Sequence, residues 1–202
     1  KAGKVPDARM GRQLAGATAG IIGYGPLGQR VAELALALGM HVLVNDPYVT
    51  VEHGDIEQTE LDALLRRADF VLPLAVATEE TENLIGARAL GLMRRDAFLV
   101  NLSRGNLIDE AALLAALEEK RIAGAAMDVG RAPDQMPSPR LAMRADVVAT
   151  PHIGGLTVPA IEGQALETVE QVAEIVRGRA PKGSVNAGAA SRLAELAAKG
   201  PA

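Results

Sequence analysis

Gly20-Ile21-Ile22-Gly23-Tyr24-Gly25-Pro26-Leu27-Gly28 is the stretch on which the reading of this chain turns. The apolar run from Ala17 to Ile22 reads as a short buried strand. It passes into three glycines spaced G-x-G-x-x-G. From Leu27 to Leu38, the residues Leu27, Val31, Leu34, Ala35 and Leu38 recur at helical spacing, and Gly39 stops the helix. His41 to Asp46 reads as a second strand, ended by Pro47. Glycine triplets are common in turns, but here the flanking elements are those that phosphate binding requires. Gly23 permits the tight turn, Gly25 lets the backbone approach a pyrophosphate, and Gly28 lets helix and strand pack closely. The helix start offers free N–H groups and the positive end of the helix dipole to phosphates. Asp46 ends the second strand at about the ~20-residue spacing expected of a ribose-binding acid. An acid there repels a 2′-phosphate, so NAD is the expected cofactor rather than NADP.

The alternation continues along the chain. Glu57 to Arg67 reads as helical, with Leu61, Leu64 and Leu65 on one side. Asp69 to Leu74 reads as a strand ended near Pro73, and 82–93 holds a short helix. Asp96 to Leu102 is the next strand, and Asp109 caps a helix that runs to about Lys120. Ile122 to Val129 and Asp146 to Thr150 are strands separated by a proline-bearing loop over 130–144. Residues 156–177 form one long amphipathic helix, with Ile161, Ala165, Val169, Val172 and Val176 near a stripe. About six apolar strands alternating with helices imply a parallel sheet covered on both faces. The expected fold class is therefore α/β, a doubly wound parallel sheet in three αβα layers, the NAD-binding Rossmann fold. Residues 1–16 read as a polar arm, 17–180 as the dinucleotide-binding domain, and 181–202 as an Ala-, Gly- and Ser-rich tail.

Composition narrows the partners. The chain has 202 residues, 49% hydrophobic and 23% charged, which suits one domain with a real core. Aromatics are only 2%, so that core must be aliphatic and rich in alanine. A net charge of −4 without a basic run makes nucleic acid and anionic membrane poor partners. No apolar run approaches the ~20 residues of a membrane span. Cysteine is absent, which removes disulfides, thiolate metal sites and cysteine nucleophiles, and points to a cytoplasmic setting. The scattered His41, His53 and His152 show no metal-ligand spacing, so no metal is expected.

Further motifs follow the glycine loop in order. Asn101-Leu102-Ser103-Arg104-Gly105 follows a strand, Ala125-Ala126-Met127-Asp128-Val129 ends another, and Thr150-Pro151-His152-Ile153-Gly154-Gly155 follows the last. This ordered set resembles the D-isomer-specific 2-hydroxyacid dehydrogenases, a group that includes phosphoglycerate, glycerate, lactate and formate dehydrogenases. The resemblance covers about residues 10–180. It implies an NAD-dependent exchange between a small 2-hydroxy acid and its 2-keto acid. That chemistry needs a hydride acceptor, a group that moves the hydroxyl proton, and a cation for the carboxylate. The nicotinamide is the first. His152 suits the second, because imidazole exchanges protons near neutral pH. Arg104 suits the third, because its planar fork pairs with a carboxylate. By the same resemblance Asp128 sits near the carboxamide of the nicotinamide, and Pro26 and Leu27 near the pyrophosphate. Leu102, Ser103 and Gly154 line the nicotinamide side, and Pro73 lies near the adenosine. The resemblance also implies a homodimer through this domain.

The pattern breaks in two places. The family's D-V-F-x-x-E-P segment supplies a Glu that hydrogen-bonds the catalytic His. Here it reads Asp128-Val129-Gly130-Arg131-Ala132-Pro133-Asp134, and alignment on the proline puts Ala132 at the Glu position. Such a His is expected to be less well oriented, with Asp134 the nearest stand-in. Pro73-Leu74-Ala75-Val76-Ala77-Thr78 also runs longer than the family's usual P-x-T stretch. The chain starts at the arm rather than at a substrate domain, and Ser184-Val185-Asn186 resembles the point where family chains return to one. The expectation is an isolated cofactor domain that binds NAD and turns over poorly. The competing expectation is an NAD-binding regulatory module like the C-terminal-binding-protein corepressors. The N-L-S-R-G and T-P-H-I-G-G motifs argue against a third, an adenosylhomocysteine hydrolase-like domain.

Overall fold

The computed structural model describes residues 11–184, 187–193 and 195, and Val185 and Asn186 fall outside them. The chain divides into two units, Lys1–His152 and Ile153–Ala202. In the first, β1 (Thr18–Ile22), α1 (Pro26–Ala37), β2 (His41–Asn45), β3 (Ile56–Gln58), α2 (Leu61–Arg67) and β4 (Phe70–Pro73) are followed by α3 (Ala87–Leu92) and β5 (Phe98–Asn101). Then come α4 (Glu110–Glu118), β6 (Gly124–Met127), α5 (Pro139–Ala142) and β7 (Val147–Ala149). The seven strands form one parallel sheet in the order β3-β2-β1-β4-β5-β6-β7.

Strand alternation decides which side chains enter which core. Ala19, Ile21, Val42 and Val44 meet Ala32 and Ala35 of α1 on one face. Val71, Leu99 and Ala125 meet Leu64, Leu90, Leu113 and Leu117 of α2, α3 and α4 on the other. Truncating a fully buried leucine such as Leu99 to alanine costs about 2–5 kcal/mol. Phe70 and Phe98, paired across β4 and β5, stack with ring centroids 5.7 Å apart. Asp109 caps α4 as expected, accepting a 3.0 Å hydrogen bond from the Ala112 amide. Under the amino ends of the strands Asp69 accepts from the Thr18 amide at 2.8 Å and pairs with Arg12 at 3.1 Å. Arg12 also reaches Asp96, which ties the segment before β1 to the sheet.

Three local expectations change. The segment expected to open a helix at Glu57 instead forms edge strand β3, because Ile56 is buried beside Val42 while Glu57 and Gln58 face outward. The helix starts only at Leu61. This three-residue strand is the seventh, and its one apolar residue, Ile56, gives it no pattern of its own. The loop over 130–144 contains α5, which Ser138 caps through the Leu141 amide. In the second unit, α6 (Val158–Val176) is helical as expected, with Thr157 as its cap. It buries none of its residues, and Ile161, Val169, Val172 and Val176 stand exposed. No helix among the described residues is long and apolar enough to cross a membrane.

Candidate active site

Parallel pairing puts all the carboxyl ends of the strands on one edge. The register keeps them level, with Ile22 opposite Asn45 and Pro73, and Met127 opposite Asn101 and Ala149. Chain order reverses at β1, which lies between β2 and β4, so a crevice forms where ligands bind in such sheets. The loops after β1, β2, β4, β5, β6 and β7 carry residues singled out by the sequence.

After β1, Gly23 takes φ +100°, and a Cβ there would lie 2.7 Å from the amide nitrogen of Ala75. The segment just beyond Pro73 thus packs on the glycine turn. A Cβ on Gly28 would collide with the carbonyl of Gly23, which explains the close turn-to-helix packing. Gly25 differs: a Cβ would meet nothing within 4 Å, and its φ of −70° suits any residue. Its bareness leaves room in front of the N-terminus of α1, where Pro26 occupies the first turn and Leu27 stands 60% exposed. Asp46 binds the glycine loop directly. One carboxylate oxygen accepts from the Tyr24 amide at 2.8 Å and the other from the Tyr48 amide at 2.8 Å. A carboxylate has about four acceptor positions, so ribose hydroxyls can still be received. An open cradle at a helix start with a fixed acid beside it fits a dinucleotide.

After β5, Asn101 is fully buried and holds the turn. Its side-chain amide donates to the Arg104 carbonyl at 2.9 Å and its oxygen accepts from the Ser103 amide at 3.1 Å. Leu102 is left exposed, and Arg104 stands out from the loop, donating to the Ser103 carbonyl at 2.8 Å. Arg104 makes no ion pair among the described residues, so its charge is available to an anion. A cleft of about 370 Å³ opens beside it, lined in part by Asn106, Arg131 and Gln135.

After β6 and β7, Asp128 is 5% exposed and accepts a 2.5 Å hydrogen bond from the Thr150 hydroxyl. His152 has φ +54°, uncommon for a residue with a side chain. Its Nδ1 lies 3.2 Å from the main-chain carbonyl oxygen of Asp134. A carbonyl only accepts, so a hydrogen bond here requires the proton on Nδ1, the tautomer that leaves Nε2 to accept. The expectation of a weakly oriented histidine is thus refined: a backbone carbonyl, not the Asp134 carboxylate, meets this nitrogen. Gly154 lies in the second unit and is exposed. The described residues contain no group of three or more His, Asp or Glu that could hold a metal.

Sequence reasoning missed three residues. Asn101 and Thr150 were quoted within their motifs, but a buried amide facing a turn has no signature in spacing. Arg131 lay in the departing loop. Its guanidinium donates to Glu82 (2.7 Å), Asn83 (2.6 Å) and the carbonyls of Asn106 (2.9 Å) and Ile108 (3.2 Å). Arg131 and then Asn106 hold the Glu82 carboxyl below its ordinary value.

Comparison with known proteins agrees with this geometry. Residues 1–154 match the family described as D-isomer specific 2-hydroxyacid dehydrogenase, NAD binding domain. The chain belongs to that family. It is 37% identical over 180 residues to a D-3-phosphoglycerate dehydrogenase of Synechocystis, covering 88% of this chain and 32% of that relative. It is likewise 37% identical over 180 residues to that of Methanocaldococcus jannaschii, covering 87% and 34%. The family domain therefore spans about a third of the length of these curated relatives. Among solved structures it resembles D-lactate dehydrogenase with NAD+ from Lactobacillus jensenii, with a TM-score of 0.78 and 28% identity over 89% of this chain and 58% of that one. The TT0316 protein of Thermus thermophilus gives a TM-score of 0.79 and 35% identity over 87% and 56%. As the NAD-binding domain of this family, the chain takes NAD as its cofactor.

Proposed function

We propose that this domain serves an NAD-dependent oxidoreductase that interconverts a D-2-hydroxy acid and its 2-keto acid. The observation that carries the reading is Arg104, a cation without an acidic partner among the described residues, on the same strand-end edge as His152. NAD, when bound, supplies the hydride acceptor. Arg104 receives the substrate carboxylate through two parallel N–H donors and polarises the adjoining carbon. His152 takes the hydroxyl proton on Nε2 as the hydride leaves C2, and returns it in the reduction. Gly25, Pro26 and Leu27 receive the pyrophosphate on a cofactor loop whose turn and helix packing Gly23 and Gly28 permit, and Asp46 receives the adenosine ribose. Pro73 borders the adenosine, and Leu102, Ser103, Asp128 and Gly154 serve the nicotinamide.

The test uses the full-length protein with glyoxylate or hydroxypyruvate and NADH. Arg104→Ala and His152→Ala should each lower kcat/KM by about 10²-fold or more; retained activity in either removes that residue's role. The reading includes a cytoplasmic homodimer, for which fractionation and light scattering are the measurements. Ala132, where the family has a Glu, favours a second reading, a regulatory module that binds NAD without efficient turnover. NADH binding without reduction of any 2-keto acid tested would select it.

A further inference from the structure

We propose that Arg131 is a positioning residue that locks the loop holding His152 to the loop bearing Arg104. This rests on the proposed roles of those two residues. The single guanidinium joins three segments. Nε donates to the Ile108 carbonyl, and the two N–H bonds of one terminal nitrogen are shared among the Asn106 carbonyl, the Asn83 side-chain oxygen and Glu82. Asn106 and Ile108 directly follow Arg104 and Gly105, so two of these bonds fix the exit of the Arg104 turn. Glu82 also accepts from the Asn106 side chain at 3.0 Å, which closes the cluster.

The other end of the lever is the loop that contains Arg131 itself. It folds back on itself through Gly130 N–H to the Gln135 carbonyl (2.7 Å), Ala132 N–H to the Met136 carbonyl (3.1 Å) and Gln135 N–H to the Ala132 carbonyl (3.0 Å). Asp134 and Gln135 are held at φ +59° and +58° within it. The outcome of that winding is a carbonyl of Asp134 aimed at His152 Nδ1. The two loops also touch backbone to backbone: a Cβ on Gly105 would strike the carbonyl group of Gly130. Two guanidinium nitrogens at a fixed spacing reach the Ile108 carbonyl and the Glu82, Asn83 and Asn106 acceptors together, which the single nitrogen of a lysine does not reproduce. The segment that lost the family's Glu thus contains a device that both orients the imidazole and fixes its distance from the carboxylate-binding cation.

The imidazole tautomer reads this directly, without turnover. Long-range ¹H–¹⁵N spectra at a pH where the ring is neutral distinguish Nδ1–H from Nε2–H, and the chain's three histidines are assigned by substitution. In the unmodified protein His152 should be the Nδ1–H form. Arg131→Ala and Arg131→Lys should both shift it toward Nε2–H, while Asp134→Ala, which keeps the carbonyl, should not. His41 and His53 are internal controls, so a global loss of folding is separated from a local one. Arg131→Lys preserves charge and serves if the alanine variant does not fold. In the full-length protein the same variants should lower kcat/KM by about tenfold to 10²-fold, the scale of an ångström-level misplacement. An Nδ1–H His152 in a folded Arg131→Lys protein overturns the proposal. Failure of the underlying functional reading would show separately, as unchanged kinetics in Arg104→Ala or His152→Ala.

Discussion

His152 and Asp134 meet ring nitrogen to main-chain carbonyl at 3.2 Å, and both residues hold the left-handed backbone conformation, at φ +54° and +59°. The contact does not use the Asp134 side chain, so what matters at position 134 is backbone shape. Left-handed conformations cost a residue with a Cβ about 1–2 kcal/mol, and Asp tolerates them better than a β-branched residue does. Asp134→Gly should leave stability unchanged or raise it by up to about 1 kcal/mol. Asp134→Val should lower it by about 1–2 kcal/mol or more. Urea unfolding of the three proteins measures this, and a valine variant as stable as the glycine one would contradict the observed loop geometry.

Gly25 and Gly28 separate a glycine kept for a ligand from one kept for the fold. At Gly28 the added Cβ meets the Gly23 carbonyl, which cannot turn aside. Gly28→Ala should cost about 1–3 kcal/mol of stability and abolish measurable NADH binding. At Gly25 the Cβ enters open space in front of α1. Gly25→Ala should change stability by less than about 0.5 kcal/mol. It should still weaken NADH at least tenfold, about 1.4 kcal/mol, because the methyl group occupies the approach to the helix amides. Fluorescence titration beside thermal melts distinguishes the two; equal NADH affinity for Gly25→Ala and the unmodified domain would remove the pyrophosphate from this turn.

The glycine loop, its helix and the strand-end acid were legible because each has a local signature: a spacing, a period, a breaker. The apolar strands were legible for the same reason. β3 was not, since Ile56 is its one apolar residue, followed by Glu57 and Gln58, whereas the equally short edge strand β7 is the apolar run Val147-Val148-Ala149. The helix α5 was hidden behind three prolines, although Ser138 and Pro139 are a standard start. At the site, motif order singled out Arg104 and His152, but their supports were out of reach. Asn101 works through a buried amide, and the carbonyl of Asp134 has no residue identity at all. With Ala132 at the Glu position, the nearest carboxylate in sequence is Asp134, whose side chain does not make the contact. The chain met the need with backbone winding and an arginine clasp instead, a solution that appears only in three dimensions.

Asp46 carries two duties that a substitution should reveal together. Its oxygens accept from the Tyr24 and Tyr48 amides, so it shapes the glycine loop as well as facing the ribose. Asp46→Ala removes two charge-assisted bonds, and the domain should lose about 1–3 kcal/mol in urea unfolding. NADH affinity should fall at least tenfold. Because the acid repels a 2′-phosphate, the ratio of NADPH to NADH affinity should rise in the same variant. A ratio unchanged from the unmodified domain would mean that Asp46 shapes the loop without selecting the cofactor.

Asp96 makes the attachment of the segment around Arg12 sensitive to acid. The guanidinium of Arg94, and secondarily that of Arg12, holds its carboxyl well below the ordinary Asp value. A carboxyl depressed in the folded state contributes stability that is complete above the unfolded value, near ~3.9, and is lost as pH falls from there toward the folded value. The Asp96 side chain is 48% exposed, so solvent screening limits the contribution to about 1 kcal/mol or less. Asp96→Asn should therefore be less stable than the unmodified protein by up to ~1 kcal/mol at pH 7. The gap should narrow as pH drops below ~3.9. It should also shrink in 1 M salt, where the Debye length is about 3 Å. Urea midpoints at pH 7, 4 and 3 give the comparison. A gap that stays constant across the series would assign the loss in Asp96→Asn to hydrogen-bond geometry rather than to charge.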